Sequence, residues 1–178
     1  DLTIIDGNNN GPAILCNNIE EDHLIIEGFT IQNGNGLYIN GARFGGGILS
    51  DNSKLILNNL VVQYNTAFAG GGICFYATEF SNKHPIINNV IIKNNYASEG
   101  GGIFCVNHYL SISNANIIEN GMDLYGSGGG IQILLSHIYL NNVSIIENET
   151  KFGGGIYISN SNADFYNVLI EENFSDSK

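Results

Sequence analysis

Apolar residues in this chain alternate with polar ones in short bursts and then change parity, which predicts brief strands joined by corners. Leu55 and Leu57 are followed by Leu60 and Val62, with the phase shift falling at Asn59. A 3.6-residue period, the mark of an amphipathic helix, is not seen. The burst recurs along the chain. Gly-Gly-Gly-Ile begins at Gly45, Gly70, Gly100, Gly128 and Gly153, at separations of 25, 30, 28 and 25 residues. An apolar-x-x-Asn element recurs beside it, ending at Asn65, Asn95, Asn120, Asn148 and Asn173, and a second Asn stands six residues earlier each time, at Asn59, Asn89, Asn114, Asn142 and Asn167.

The two signals keep phase. Asn65, Asn95 and Asn148 precede the next glycine triplet by five residues and Asn120 by eight, which locates an insertion near 121–125; another lies between Phe75 and Pro85. An earlier coil is legible in 23–31, with Gly28 and Gly34 at the two Asn positions and an insertion before Gly45, and Thr3-Ile4-Ile5-Asp6-Gly7 reads as the end of a coil before that. Superposing coils puts Leu57, Ile87, Ile112, Leu140 and Phe165 in one inward column and Val62, Ile92, Ile117, Ile145 and Ile170 in another. A coil of this size cannot bury its apolar side alone, so neighbouring coils must supply the core. The expected fold is all-β: a right-handed single-stranded parallel β-helix with three short strands per coil of about 25 residues. It runs as one domain over residues 1–178, a segment of a longer solenoid. Hexapeptide periods of left-handed helices, the leucine-rich signature and the Asp of calcium-binding rolls are all missing.

Repeated residues have structural readings first. Stacked amides bond to one another at the strand spacing of about 4.8 Å, and Asn tolerates a left-handed corner. The glycine triplets fit a corner that needs positive φ or close backbone approach. Outward rows are more telling, because they should be polar and in the early coils are not. Ile25, Ile56 and Ile86 head one row and Val61 and Ile91 another; Leu49, Cys74, Phe104, Gln132 and Tyr157 form a third. Ile25, Ile56, Ile86, Val61, Ile91, Phe104 and Tyr157 are therefore the candidate contact surface, unless the insertions at 33–44 and 77–84 cover it.

Composition narrows the partners. Seventeen acids against six bases give a net charge of −11, which argues against nucleic acid or an anionic membrane. No run is long and apolar enough to span a bilayer. Cys16, Cys74 and Cys105 are an odd set without a CxxC pair; Cys105 falls at an inward position and Cys74 at an outward one, so thiols are expected rather than a bridge. His23, His84 and His137 share a coil position with Lys54, Tyr109 and Asn162, with His108 beside them. Histidines two coils apart, about 10 Å, cannot share a metal ion, and no cofactor or metal is expected. Asn142, Asn148 and Asn173 match glycosylation sequons but belong to the Asn columns. Glu119, Glu147 and Glu172 stack below Tyr64 and Asn94, the best carboxylate cluster for acid-base chemistry on a glycosidic bond. One residue before a corner Asn, they are expected to face water.

The pairing of Gly-Gly-x-Ile with apolar-x-x-Asn resembles the repeats of the chlamydial polymorphic outer-membrane proteins, surface adhesins with β-helical passenger regions. Residues 26–34, Ile-Glu-Gly-Phe-Thr-Ile-Gln-Asn-Gly, are also similar to the pectin-lyase-like class of secreted β-helix proteins. The Asn-Thr-Asp, Asp-Asp and Gly-His-Gly of the hydrolases in that class are missing, and the sole arginine, Arg43, lies in an insertion. What the resemblance implies is a non-enzymatic extracellular or cell-surface scaffold, structural or adhesive, that binds protein or carbohydrate. Neither end of the sequence reads as a cap, which leaves two expectations, a fragment of a longer solenoid or copies that associate end to end into filaments. The alternative is a carbohydrate-binding or carbohydrate-cleaving protein whose cleft uses the outward aromatics or the Glu column.

Overall fold

The structure is a computed structural model in which residues 3–19 and 24–176 are described, the side chains of 122–124 excepted. The described chain is all-β and winds as a parallel solenoid of about six turns. An eight-stranded sheet carries the long strands Leu55–Gln63, Ile86–Lys93, Tyr109–Ile118, His137–Ile146 and Asn162–Glu171 in succession, preceded by Thr3–Asp6, Leu24–Glu27 and Phe29–Gln32. A six-stranded sheet stacks Ile14–Asn17, Ile48–Asp51, Ile73–Tyr76, Ile103–Val106, Ile131–Leu134 and Ile156–Ser159. A third, narrower sheet of Gly121–Ser127, Glu149–Phe152 and Phe174–Ser175 continues through single bridges such as Thr66 to Tyr96 and Tyr96 to Gly121. Each long strand is two strands fused across a bend. Asn59 sits there at φ 51°, and the burial alternation switches parity on passing it.

Registers place like over like: Leu57 pairs with Ile87, Ile87 with Ile112, Ile112 with Leu140 and Leu140 with Phe165. The first four of this column are fully buried, as are Val62, Ile92, Ile117 and Ile145. Each such side chain is stabilised by about 1.5–3 kcal/mol on leaving water, and only because a coil lies on either side of it. In the last described coil Phe165 and Ile170 stay 42% and 49% exposed, having neighbours on one side only among the described residues. The core is thus a property of stacking, not of any single turn.

Polar residues set the register. Asn120 Nδ2 donates to the carbonyl of Ile92 one coil back (2.9 Å), to Ile118 in its own coil (2.9 Å) and to Asn148 Oδ1 one coil on (3.0 Å). Its Oδ1 accepts from the backbone N–H and the Nδ2 of Asn95 (3.1 and 3.0 Å). Asn65, Asn95, Asn148 and Asn173 continue the chain, and Asn65 Oδ1 takes the N–H of Gly34. Because Oδ1 faces N–H groups and Nδ2 faces carbonyls, the amide orientation is forced at each step. Asn59, Asn89, Asn114, Asn142 and Asn167 form a second, exposed ladder that runs the other way: Asn89 donates to Asn59, Asn142 to Asn114 and Asn167 to Asn142, while Asn114 slips to Asn88. Here Asn earns its place by conformation, with φ between 50° and 56° in all five.

The glycine triplets divide their labour. Gly100 has φ 57°, whereas a Cβ on Gly101 would stand 2.3 Å from the backbone N of Gly121 and 2.5 Å from the carbonyl of Gly129. A left-handed corner and a near collision of successive backbones therefore adjoin. The insertion near 121–125 appears as two register shifts between Gly121 and Ser127.

Asn120→Ala should destabilise the protein by about 3 kcal/mol or more, since it strands two buried donors of Asn95. Asn114→Gly, which keeps the left-handed corner on an exposed rung, should cost about 1 kcal/mol or less. Denaturant midpoints of the two variants compared with the parent check this difference.

Candidate functional site

A third corner follows strands of the six-stranded sheet, and it borders an open groove on the surface. Four residues after the isoleucine of four of the five triplets stands a left-handed residue: Asn52 (φ 46°), Asn107 (60°), Leu135 (47°) and Asn160 (49°); the coil of Ile73 has Ala77 there, where the 77–84 insertion begins. Behind the left-handed residue comes a hydroxyl column, buried at Ser53 and Ser136 and partly exposed at Ser161. Ser136 Oγ donates to the carbonyl of Leu134 (2.7 Å) and accepts the N–H of His108 (3.1 Å); Ser161 Oγ donates to Ser159 (2.8 Å) and accepts the N–H of Ser136 (2.9 Å). Ser53 does the same with Asp51 and Ile19. His108 occupies this column and imitates it, Nδ1 meeting the carbonyl of Val106 at 2.8 Å. It is fully buried, its Nε2 has no partner, and desolvation holds its pKa below the ordinary imidazole value, opposed by the bond to Val106 and by Asp51.

Outside the column lies a run of rings. His84 and Tyr109 have centroids 4.8 Å apart, Tyr109 and His137 5.8 Å, and Phe80, from the insertion at 77–84, meets Tyr109 edge-on at 5.0 Å. His137 Nε2 reaches Asp164 Oδ2 at 2.8 Å. Phe80, Tyr109 and His137 border an open groove of about 700 Å³ lined also by Asn107, Leu135, Ser136, Asn160, Ser161 and Asn162. Phe80 and Tyr109 are 53% and 42% exposed, so apolar ring surface and amide or hydroxyl groups face one space. That combination suits a ligand with both C–H faces and hydroxyls. The expected column of His84, Tyr109, His137 and Asn162 is thus a continuous stack, and His23 lies outside the described residues.

The aliphatic rows divide. Ile25 is 50% and Ile91 38% exposed, and Ile56, Ile86 and Val61 are partly exposed. The third row is different. Leu49 and Cys74 are fully buried and Phe104 is 5% exposed, because the antiparallel hairpin of Leu37–Ile39 and Ala42–Phe44 folds over them. Phe44 packs against Tyr76 (5.4 Å) and Phe104 (6.4 Å). Phe104 is therefore core of a second, smaller cluster and not contact surface, and Tyr157, further along the row, is partly exposed. Arg43 is spent on the same hairpin, its Nη1 donating to the carbonyls of Asn35 and Gly36.

Glu119, Glu147 and Glu172 are exposed, and Asn94, Glu119, Glu147 and Glu149 line a recess of about 390 Å³. These glutamates also hold the left-handed position of the second corner (φ 53°, 55° and 53°), as do Tyr64 and Asn94. The buried Asn that follows does not, which sequence reasoning missed by assigning that conformation to the ladder Asn. Among the described residues no three His, Cys, Asp or Glu converge on a metal-sized space. The cysteines are free and buried; burial pushes Cys105 up to about 12 and Cys74 well above the usual thiol range. Cys105 faces the main core and Cys74 the second cluster.

Comparison with protein-family models, curated proteins and solved structures finds no match to this chain.

Two outcomes follow from the corners and the thiols. Leu135→Asn, which puts the residue used at 52, 107 and 160 into a left-handed site, should stabilise by about 0.5–1 kcal/mol in thermal or chemical unfolding. Cys74 and Cys105 should resist a thiol reagent near pH 8 in the native protein and react once it is unfolded.

Proposed function

We propose that this chain is a non-enzymatic scaffold of an extracellular or cell-surface solenoid, structural and adhesive, whose coils set length and whose outer faces make the contacts. The observation that carries this reading is where the repeated chemistry goes. Asn recurs at two positions of five coils, Gly as a triplet and Ser behind the third corner of three coils, and the amide of Asn120 and the hydroxyl of Ser136 have their hydrogen bonds committed to neighbouring coils or to their own backbone. What the repeat conserves from coil to coil is therefore stacking, while contact chemistry is left to residues that differ between coils, such as Ile25, Ile91, Phe80 and Tyr109. The extracellular setting rests on the likeness of the repeats to polymorphic outer-membrane adhesins and pectin-lyase-like proteins. A negative surface favours neutral or cationic partners.

A second reading, carbohydrate binding, is favoured by the groove at the third corner. Exposed rings beside amides and hydroxyls match the alternating apolar and hydroxylated faces of a sugar, whereas in the outward row of the six-stranded sheet Phe104 is covered and only Tyr157 stays partly exposed. Carbohydrate is thus one adhesive partner the scaffold would take, without cleaving it.

A panel of neutral and acidic polysaccharides, scored for binding and for release of reducing or unsaturated ends, tests both readings. Binding without cleavage is expected, weakened about tenfold or more by Phe80→Ala with Tyr109→Ala. Turnover that disappears in Glu147→Gln overturns the non-enzymatic reading. Failure of every polysaccharide to bind at millimolar concentration overturns the carbohydrate reading and leaves a protein partner.

A further inference from the structure

We infer that His108 is an acid-sensitive latch for the 77–84 insertion: protonation of its buried ring frees the loop that carries Phe80 into the third-corner groove. The inference rests on the groove reading only in naming what the loop would regulate. The geometry is specific to this coil. Where three other coils place Ser53, Ser136 and Ser161 behind the left-handed corner, this coil places an imidazole, and it does so next to the insertion that interrupts the column in the coil before. The loop is tied to the same corner by two bonds of the preceding residue: Asn107 Nδ2 donates to the carbonyl of Ala77 (2.8 Å), and the N–H of Ser81 donates to the carbonyl of Asn107 (2.8 Å). Ser81 Oγ adds a bond to Asn52 Oδ1 (3.0 Å) on the coil before.

The ring is placed so that a second proton has nowhere to go. Nδ1 is engaged with Val106, and Nε2 is fully buried and unpartnered. Phe75 packs beside it at 6.4 Å between centroids. A neutral imidazole with Nδ1–H tolerates this, and an imidazolium does not, because its Nε2–H would be a buried donor on a desolvated charge. The groups that bear on the ring are few. Asp51, ending Ile48–Asp51, favours the charged form; Cys105, on the strand leading to His108, is held protonated by burial; Ser136 is neutral. Tyr109 and His137 stand on the solvent side, the N–H of His137 donating to the carbonyl of His108. Glu79 and Lys83 of the loop border a recess of about 650 Å³ with Asp51, Asn52 and Ser81. This recess is bordered by the loop and by Asp51, whose charge acts on the ring, whereas the ring's neighbour Phe75 belongs to the main core; the loop side is therefore where water would enter.

The sign follows from linkage. A histidine whose pKa in the closed state lies below its open value binds more protons when open, so closure is fully stable above the ordinary imidazole value of about 6.5 and weakens as pH falls below it. Each pH unit in that window multiplies the open population by up to about tenfold, until the closed-state pKa is passed.

Hydrogen exchange of the amides of 78–83, Ser81 above all, at about pH 7.5 and about pH 5, corrected for intrinsic rates, reads the latch without any ligand. The expected result is protection that falls roughly tenfold toward acid in the parent. It should be pH-independent in His108→Ser, which restores the column residue, and unchanged from the parent in His137→Asn, which removes the exposed His–Asp pair. Should His108→Ser not fold, the ring of His108 in the parent is followed by NMR, and its titration must coincide with loop opening. Protection that ignores pH, or that falls with acid equally in His108→Ser, overturns the latch. Neither result touches sugar binding, and a protein that binds no sugar but shows the acid response keeps the latch and loses the groove reading.

Discussion

The amide of each inner-ladder asparagine is the constraint on which the remaining structure depends. Parallel coils of varied length, separated by 25 to 30 residues, are aligned by their aliphatic columns only in part, because a slip of two residues keeps the same face inward. A buried amide that must satisfy a carbonyl behind, a carbonyl beside and an oxygen ahead permits one register. Slippage by a single residue would leave several buried polar groups unpaired on every coil, at about 1–3 kcal/mol each. The glycine triplets then follow from the same alignment. Backbones of successive coils approach so closely at Gly101 and its equivalents that no Cβ fits, and the third glycine of each triplet lies against the ladder amide, as Gly102 does against Asn120.

With register fixed on two corners, variation is confined to places where it does no harm. The insertion of 33–44 becomes a hairpin that closes a second apolar cluster, and that of 77–84 becomes a loop over the third corner. Both touch one face each. The chemistry that differs from coil to coil, a ring at 80, an imidazole at 108, a contact between His137 and Asp164, gathers at the third corner because that is where the repeat is least strict. A uniform core and a locally edited corner are compatible for this reason, and the proposals for adhesion and for acid release both draw on it.

Much of this was legible in the sequence because a solenoid writes its contacts at a fixed interval. Inward columns, both Asn columns, the phase of the triplets and the sites of insertion follow from spacing alone. Two features were harder. The left-handed residue of the second corner is Tyr, Asn or Glu, types that share no side-chain chemistry, so the demand is conformational and leaves no compositional trace. The third corner did leave one, Asn-Ser, Asn-His, Leu-Ser and Asn-Ser four residues after four of the five triplet isoleucines, yet Ala77-Thr78 and His108 broke the pattern and hid it. The burial of Phe104 could not be read from its own coil at all. It depends on a hairpin about sixty residues earlier whose path no periodicity dictates.

Side-chain amide exchange measures the central claim most directly. In a protein labelled for NMR, the Nδ2 protons of Asn65, Asn95, Asn120 and Asn148 should exchange far more slowly than those of Asn59, Asn89, Asn114 and Asn142, by about a thousandfold or more if opening the inner ladder requires parting the coils. Equal and rapid exchange at both sets would contradict an interior held in register by its asparagines.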